Sequence, residues 1–370
     1  MQSPLLALPG AVAGDGIDAP VAAHYGSFNT EQRTLAAGEG FVDLSHRDVL
    51  RISGPDRLSW LHNLTTQYFE GLAPGVWTQA LVLSPQGHVE HAFTGVDDGE
   101  AFTAHTEPGA GAALVEWLER MKFMTRVEIE LVDDLAVMWR PGGGSGRYDL
   151  VPRDRVEAYA EAAGPAAGLW AFEALRIERG EPRFGIDTDH RTIPNEVGWI
   201  GPAVHLDKGC YRGQETVARV HTLGRPPRRL VLLHLDGSEN RLPPAGSPVS
   251  YEGRDIGFVG SSARHHELGP IALAVVKRNV PVDATLTVDE MPAAQEVIVD
   301  PEVGLHVRPL STERNTPTVV AAKTCHVPSA ASADASASRT SATRAGTTDH
   351  HTHRPRFSPT MSPASARTLV

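Results

Sequence analysis

The sequence predicts an α+β protein, in which a ferredoxin-like sheet with helices precedes a small β-barrel or sandwich. Candidate strands and amphipathic helices alternate in β-α-β-β and β-α-β order through the first half. Beyond Arg225-Pro226-Pro227, short β-like runs separated by turn residues replace the helices. The chain has 370 residues, which is more than one ordinary core needs and indicates two or three domains.

The elements of the first half follow from hydrophobic periodicity and turn residues. Val49 to Ile52 fits a short strand, and Ser53-Gly54-Pro55 then begins a helix with leucines on one face. A second helix, from Ala110 to Phe123, places Leu114, Trp117, Leu118 and Met121 on one face. Further strands are predicted at Gln79 to Leu83, His88 to Thr94, Phe102 to His105 and Val127 to Leu131.

Two helices and then six strands are expected in the second half. The helices span Arg153 to Ala163 and Leu169 to Arg179, and Gly180 ends the latter. A domain boundary is expected near residues 222–228, where the pattern changes. The strands are expected at Leu230 to Leu235, Pro248 to Tyr251, Ile256 to Val259, Ile271 to Val276, Thr285 to Val288 and Glu296 to Val299.

Two low-complexity stretches are not expected to carry chemistry. The glycine cluster from Gly142 to Gly146 has no following Lys-Ser/Thr and fits a flexible connection. From Thr312 to Val370 the chain is mostly Ser, Thr, Ala and Pro, and seven Lys or Arg against three Asp or Glu give it a charge of +4. Such a segment buries too little apolar surface to fold, so a disordered tail is predicted.

Charge and cysteine content exclude several classes of protein. The net charge of −11, or −15 over residues 1–311, argues against nonspecific binding to nucleic acid or anionic membranes. Two cysteines, Cys210 and Cys325, cannot build a disulfide framework or a cysteine-based zinc site, which favours a reducing compartment. No apolar run is long enough to span a membrane, and no Lys or Arg precedes Arg33 to start a signal peptide. The expectation is a cytoplasmic protein, monomeric and without a metal site.

The octet from Lys208 to Glu215, KGCYRGQE, is the most informative stretch of the chain. Cys210 lies between Lys208 and Arg212, two cations that could lower the pKa of its thiol. The flanking glycines would let the backbone approach a ligand closely. From the residues alone, a small buried cysteine and a reactive thiol both remain open, because no histidine base is adjacent.

The octet resembles the signature of the YgfZ family, folate-binding relatives of the glycine-cleavage T-protein, which is an aminomethyltransferase. The segments from Glu173 to Gly180 and from Ile193 to Glu196 are similar to that family's central part. The stretches from Leu61 to Thr66 and from Gln86 to Val89 resemble its N-terminal half, so that the likeness covers roughly residues 40–310.

The resemblance implies two ferredoxin-like folate-binding lobes and a C-terminal β-barrel, with tetrahydrofolate as the cofactor in a central channel. The corresponding boundaries are lobes at 41–135 and 136–224 and a barrel at 225–311. The segment at 1–40 is rich in Gly and Ala and is expected to be a loosely packed lead-in, and the tail at 312–370 has no counterpart in the family. The resemblance also implies a role in assembly or repair of iron–sulfur clusters in client enzymes, including radical enzymes that modify tRNA. Folate and the iron–sulfur client or assembly proteins would be the partners.

Candidate site residues follow from the chemistry of folate. Glu196 is the candidate for gripping the amino-pyrimidinone edge of the pterin through two hydrogen bonds. Arg176 or Arg219 would bind the anionic glutamate tail, and Trp199 or Tyr211 would pack on the flat rings. Surface exposure of Glu196, helix-exterior pairing of Arg176 with Glu173 or Glu178, and core packing of the two aromatic residues remain open as alternatives. Cys210, with Lys208, is the candidate catalytic pair.

One departure from the T-protein pattern bears on activity. The T-protein carries an acidic pair after its Gly-x-Ile-x hairpin, and the alignment puts His91 and Ala92 at those positions. Glu90 is adjacent, but neighbouring strand residues face opposite sides of a sheet. An accessory role is therefore expected, with a folate-dependent aminomethyl- or methyltransferase as the alternative; whether any reaction is catalysed stays open.

Overall fold

The structure, a computed structural model, describes residues 1–142 and 146–306 of the chain. The described residues belong to one compact unit, Met1–Leu310. Part of the expected Gly142-to-Gly146 connection, the expected tail at 312–370 and Cys325 lie outside the described residues.

The described residues form six α-helices and seventeen strands. The helices are α1 (Phe28–Ala36), α2 (Arg57–Leu64), α3 (Gly111–Met121), α4 (Val156–Ala163), α5 (Leu169–Glu178) and α6 (Gln214–Leu223). The first eleven strands are β1 (Val12–Ala13), β2 (Ala22–His24), β3 (Phe41–Asp43), β4 (Asp48–Ser53), β5 (Trp77–Leu83), β6 (Val89–Asp97), β7 (Ala101–Thr106), β8 (Glu128–Val132), β9 (Leu135–Arg140), β10 (Arg147–Pro152) and β11 (Ala166–Ala167). The remaining six are β12 (Arg228–Leu235), β13 (Pro248–Tyr251), β14 (Arg254–His265), β15 (Gly269–Lys277), β16 (Leu286–Val288) and β17 (Met291–Val297).

The first large sheet contains the strands predicted in the first half. Its order is β5-β6-β7-β4-β8, and every neighbouring pair is antiparallel. Leu50 and Ile52 of β4 and Phe102 of β7 pack against Leu114 and Leu118 of α3 in one apolar core. Met121, predicted on the same helix face, is partly exposed because α3 ends there.

The second sheet interleaves with the first along the chain. Its order is β10-β9-β3-β11, so β3 pairs with strands that follow residue 134. The sheets therefore do not follow a single division of the chain at residue 135. Two strands of this sheet, β9 and β10, are not among the predicted ones. β9 is mostly buried and so lacks the apolar-polar alternation of a half-exposed strand.

The last six strands close a barrel in the order β12-β15-β14-β13-β16-β17, which confirms the predicted β-barrel. Successive side chains of β12 point to opposite faces of the strand. Val231 and Leu233 fill the barrel, whereas Leu230 and Leu232 pack on the adjoining core. The strand predicted from Glu296 to Val299 is displaced, because β17 begins at Met291 and ends at Val297.

The first forty residues correct the expectation of a loosely packed lead-in. This segment contains α1 and the β1–β2 pair, and Leu5, Val21 and Leu35 are buried in two of the core clusters. The Glu31 carboxylate on α1 accepts hydrogen bonds from the backbone nitrogens of Tyr25 and Gly168, each at 2.8 Å. The segment is therefore part of the folded core. Within the described ranges, no helix is both long and apolar enough to cross a bilayer.

Candidate ligand cavity

A cavity of about 620 Å³ lies where β5, β6, β7 and α5 meet. Such a volume suits a ligand the size of a small cofactor. Aromatic side chains form much of its wall: Trp77, Tyr148, Phe172, Phe184 and Trp199. The described lining also contains five arginines and two glutamates, and each of the five arginines has a carboxylate oxygen within 3.8 Å. The protein's own carboxylates thus balance the arginine charges, and the aromatic walls suit a flat ligand.

Arg176, a predicted ligand for the glutamate tail, lines this cavity and is buried among carboxylates. Its Nη1 donates to Asp187 at 2.9 Å, and its Nε donates to Glu173 at 3.1 Å. Burial alone would lower the pKa of Arg176, but Glu173 and Asp187 raise it, so the guanidinium stays charged. The ion pair of Arg176 with Glu173, which the sequence left open, is observed. It lies in the interior of the protein and not on the helix exterior.

Trp199 also lines the cavity, whereas Tyr211 does not. The Tyr211 ring is buried in the core cluster between the cavity sheet and the barrel, and burial raises the pKa of its hydroxyl to about 12. Three residues of this cavity are not among the predicted site residues: Arg47, His105 and Tyr148. They come from the turn before β4, from β7 and from β10, with no motif in common, and only the folded sheets bring them together.

Glu196 is engaged by an arginine that the sequence analysis did not single out. A single helical turn, Pro194–Glu196, carries Glu196 into the interior, where it is 1% exposed. Arg228 donates to it at two points, and the Ile193 backbone nitrogen donates to Oε2 at 3.1 Å. The surface-exposed alternative for Glu196 is therefore wrong. Its neighbours Val197 and Trp199 line the cavity, but Glu196 does not.

The octet forms a loop from Lys208 to Gly213 followed by α6. Gly213 has φ of +80°, and a Cβ atom there would lie 2.5 Å from the Ser84 carbonyl oxygen. Gly213 is thus needed for close approach of the loop to the turn between β5 and β6. The close approach expected toward a ligand is, at this glycine, an approach to the protein's own backbone.

Lys208 is buried and lies at the C-terminal end of α2. Its Nζ donates to the carbonyl oxygens of His62 and Thr65, where the helix dipole favours a cation. The Nζ atom is also 5.0 Å from the Tyr211 ring centre. Burial lowers the pKa of Lys208 to about 8. Lys208 thus joins the octet to the first sheet domain.

Cys210 and Arg219 lie on the exterior and do not line the cavity. Cys210 is exposed on the loop, and Arg219 is exposed on α6. Arg212, the second cation expected to tune Cys210, is paired with Glu90 of β6 at 3.0 Å. The candidate residues thus separate into a cavity pair, Arg176 and Trp199, and an exterior loop that carries Cys210.

His91 and Ala92 face opposite sides of β6. Ala92 lines the cavity, and His91 lies on the outer side beside Trp117 and Arg120. Burial, and next the charge of Arg120, lower the pKa of His91. At the position that faces the cavity, β6 therefore carries a methyl group in place of a carboxylate.

Both carboxylates of the described cavity lining are already paired with arginines. Glu107 accepts from Arg183 Nε at 2.6 Å and lies 3.5 Å from Arg47 Nη2. Glu181 accepts two hydrogen bonds from Arg179, at 2.9 and 3.0 Å. Neither carboxylate is therefore available as an unpaired general base. In the part of the chain that the structure describes, no three His, Cys, Asp or Glu residues are grouped to hold a metal ion.

Comparisons with known proteins find relatives along most of the chain. An aminomethyltransferase of Streptomyces avermitilis is 38% identical over 316 residues, which span 70% of this chain and 84% of that protein. An aminomethyltransferase of Moorella thermoacetica is 26% identical over 306 residues, spanning 68% and 82%. No family model matches the chain.

The fold also resembles a solved structure. The crystal structure of glycine cleavage system aminomethyltransferase T from Bartonella henselae superposes with a TM-score of 0.68 at 19% identity. The superposition covers 81% of this chain and 96% of that one. At this identity the likeness concerns the fold alone.

Proposed function

The chain belongs to the aminomethyltransferase family, and from that premise we propose that it binds tetrahydrofolate in the 620 Å³ cavity. Tetrahydrofolate would supply nitrogen atoms that carry a one-carbon unit. The observation that carries the proposal is a cavity of cofactor size with aromatic walls in a chain of this family.

The residues of the cavity fit this ligand. Flat rings pack favourably between aromatic side chains such as Trp77, Tyr148 and Trp199.

Glu196 as the residue that grips the pterin remains a proposal that rests on the family resemblance. Its carboxylate is held by Arg228, and its neighbours Val197 and Trp199 are the ones that line the cavity. Arg176 is proposed to supply positive charge for the glutamate tail from its buried position. Arg219 and Tyr211 remain proposals for folate binding that rest on the family resemblance.

The finer proposal is an accessory role of the YgfZ type, in assembly or repair of iron–sulfur clusters in client enzymes. The exposed Cys210 supports it, because a thiol on an exterior loop is accessible to another protein. One thiol supplies one of the four ligands usual for such a cluster, so a client or assembly protein would provide the others. Lys208 would hold the loop in position through α2.

A strain lacking the gene tests this role. Cys210→Ala is expected to leave client iron–sulfur enzyme activity as low as in the deletion strain, whereas Cys325→Ala is the matched control and should restore it. Full restoration by Cys210→Ala would overturn the accessory role. Tetrahydrofolate binding is measured separately. Full restoration by Cys210→Ala would leave the proposal that the cavity binds tetrahydrofolate standing.

The second candidate is folate-dependent aminomethyl or methyl transfer. The 38% identical aminomethyltransferase favours it, and Ala92 on the cavity face of β6 opposes it. Purified protein assayed for tetrahydrofolate-dependent demethylation decides between the two. Turnover that Cys210→Ala leaves intact would favour the transferase.

A further inference from the structure

A second cavity, of about 500 Å³, is lined by the N-terminal segment, α5 and the barrel. Asp15 and Phe28 come from the first forty residues, Trp170 from α5 and Arg264 from β14. Among the described lining residues, this cavity shares Arg183 alone with the 620 Å³ cavity. It is therefore a place for a ligand other than the one proposed above.

Buried polar contacts hold the walls of this second cavity in place. The Gln32 amide of α1 donates to the carbonyl oxygen of Arg264 and accepts from the backbone nitrogen of His266, each at 2.8 Å. Arg183 donates to Asp18 at 2.7 and 3.0 Å, which fixes the N-terminal segment at another point. Because these walls are formed before a ligand arrives, binding does not have to order them.

Aromatic and apolar side chains cover part of the wall. Trp170 is 47% exposed although it belongs to α5, and its ring centre lies 6.1 Å from that of Phe28 in an edge-on arrangement. Leu242 and Pro243 line the same cavity from the barrel domain. An apolar group of a ligand can cover the exposed Trp170 ring and leave the solvent.

Three of the five charged residues in the described lining are already paired. Arg183 lies 2.7 Å from Asp18 and 3.8 Å from Glu173. The two that are left, Asp15 and Arg264, carry opposite charges.

Asp15 and Arg264 have no ion-pair partner within residues 1–142 and 146–306. Asp15 is exposed, and its carboxylate makes no hydrogen bond to cap the turn Gly16–Asp18 that follows. Arg264 donates from Nη1 and Nη2 to two oxygens of Asn240, at 2.7 and 2.6 Å, and neither oxygen belongs to a carboxylate. A guanidinium has five N–H groups, so Arg264 keeps donors for a ligand.

We infer that this cavity binds a free amino acid with an apolar side chain. Arg264 binds the α-carboxylate, Asp15 binds the α-ammonium group, and Trp170 and Phe28 pack against the side chain. A zwitterion satisfies both open charges at once, whereas a simple anion or cation would leave one of them unpaired. The inference goes beyond the proposed tetrahydrofolate binding and does not depend on it.

Calorimetry on the full chain tests the site with three related probes. L-phenylalanine carries both charges, N-acetyl-L-phenylalanine lacks the ammonium group, and L-phenylalanine amide lacks the carboxylate. Wild-type protein should bind L-phenylalanine saturably and at least about fivefold more tightly than either analogue, because each analogue forfeits one charge-assisted hydrogen bond. Glycine, which has no apolar side chain, should bind at least about tenfold more weakly than L-phenylalanine.

Single substitutions assign each charge to its partner. Asp15→Asn should weaken binding of L-phenylalanine by about fivefold with little change for the N-acetyl analogue. Arg264→Gln should weaken it by a similar factor with little change for the amide. Asp154→Asn, at an exposed position outside the lining, is the matched control and should leave all affinities unchanged.

Two results would overturn the site. One is the absence of saturable L-phenylalanine binding, or equal affinities for the three probes, in the wild-type protein, which does not depend on any variant folding correctly. The other is an unchanged preference for L-phenylalanine in folded Asp15→Asn protein. Tetrahydrofolate affinity should be the same in Asp15→Asn as in wild type, and a joint loss of both ligands would contradict a second, separate site.

Discussion

Arg228 grips Glu196 with two hydrogen bonds in the interior of the protein, from Nε to Oε1 and from Nη2 to Oε2, each at 2.8 Å. Arg228 also donates to Asp189 at 2.7 Å, so one arginine joins the barrel strand β12 to the turn that carries Glu196. Burial alone would lower the pKa of Arg228, but Glu196 and Asp189 raise it. Glu196 thus stabilises the fold whatever it does for a ligand.

Glu196→Ala should therefore lower the free energy of unfolding of the ligand-free protein by about 3 kcal/mol, because it leaves Arg228 with an incomplete set of partners. Urea denaturation measures this change. Glu157→Ala, at an exposed position on α4, is the control and should change stability by less than about 0.5 kcal/mol. Equal stabilities of the two variants would contradict this stabilising role of Glu196.

Lys208 makes stability depend on pH above neutrality. Its pKa in the folded protein is about 8, against 10.5 for an unperturbed lysine. Between these values the unfolded chain binds more protons at this side chain than the folded protein does, so its contribution to stability rises with pH. Lys208→Met lacks this titration. The stability of wild type relative to Lys208→Met should increase by about 3 kcal/mol between pH 7.5 and pH 10.5, as measured by urea unfolding; a constant difference would contradict this.

Asp18 gives a pH dependence of the same sign, but in the acid range. It accepts from Arg183 at 2.7 Å and contacts His46 at 3.0 Å. Burial alone would raise the pKa of Asp18, but these hydrogen bonds lower it below 3.8. Its stabilising effect is complete above the unfolded pKa and is lost as pH falls through the folded one. Wild type should lose about 1 kcal/mol more than Asp18→Asn between pH 5 and pH 3, and equal losses in urea titrations would refute the assignment.

Ala92→Asp tests the missing carboxylate directly. It places an acid on the cavity face of β6, and His91→Asp places one on the outer face of the same strand as a matched control. If a carboxylate there is what the transfer reaction lacks, Ala92→Asp should raise tetrahydrofolate-dependent demethylation by about 100-fold. His91→Asp should leave the rate unchanged. Equal rates in both variants would show that the acid at this position does not limit the reaction.

Local patterns predicted much of the fold. The helix from Ala110 to Phe123 and the barrel strands after Pro227 carry strong periodicity and clear turn residues, and both are confirmed. β9 and the burial of residues 1–40 were missed because they depend on pairing and packing between distant segments. A glycine- and alanine-rich composition does not reveal that Leu5 and Val21 are buried.

The candidate site was harder to predict than the fold. Short motifs point to residues that are close in sequence, such as Lys208, Cys210 and Glu196. The cavity takes its donors from separate elements, for example Arg47 before β4 and His105 on β7. Lys208 shows the converse: a cation two residues from a cysteine is held by the carbonyl oxygens of α2. Sequence proximity did not reveal which group each cation contacts.

Anaerobic calorimetric titration of tetrahydrofolate into the purified full chain tests the central claim most directly. The cavity predicts saturable binding of one molecule per chain. Tyr148→Ala, which removes an aromatic wall, should weaken it by about tenfold or more, and Tyr68→Ala, outside the cavity lining, should not. Absence of binding by the wild-type protein, or equal affinities of the two tyrosine variants, would contradict the claim that this cavity is the folate site.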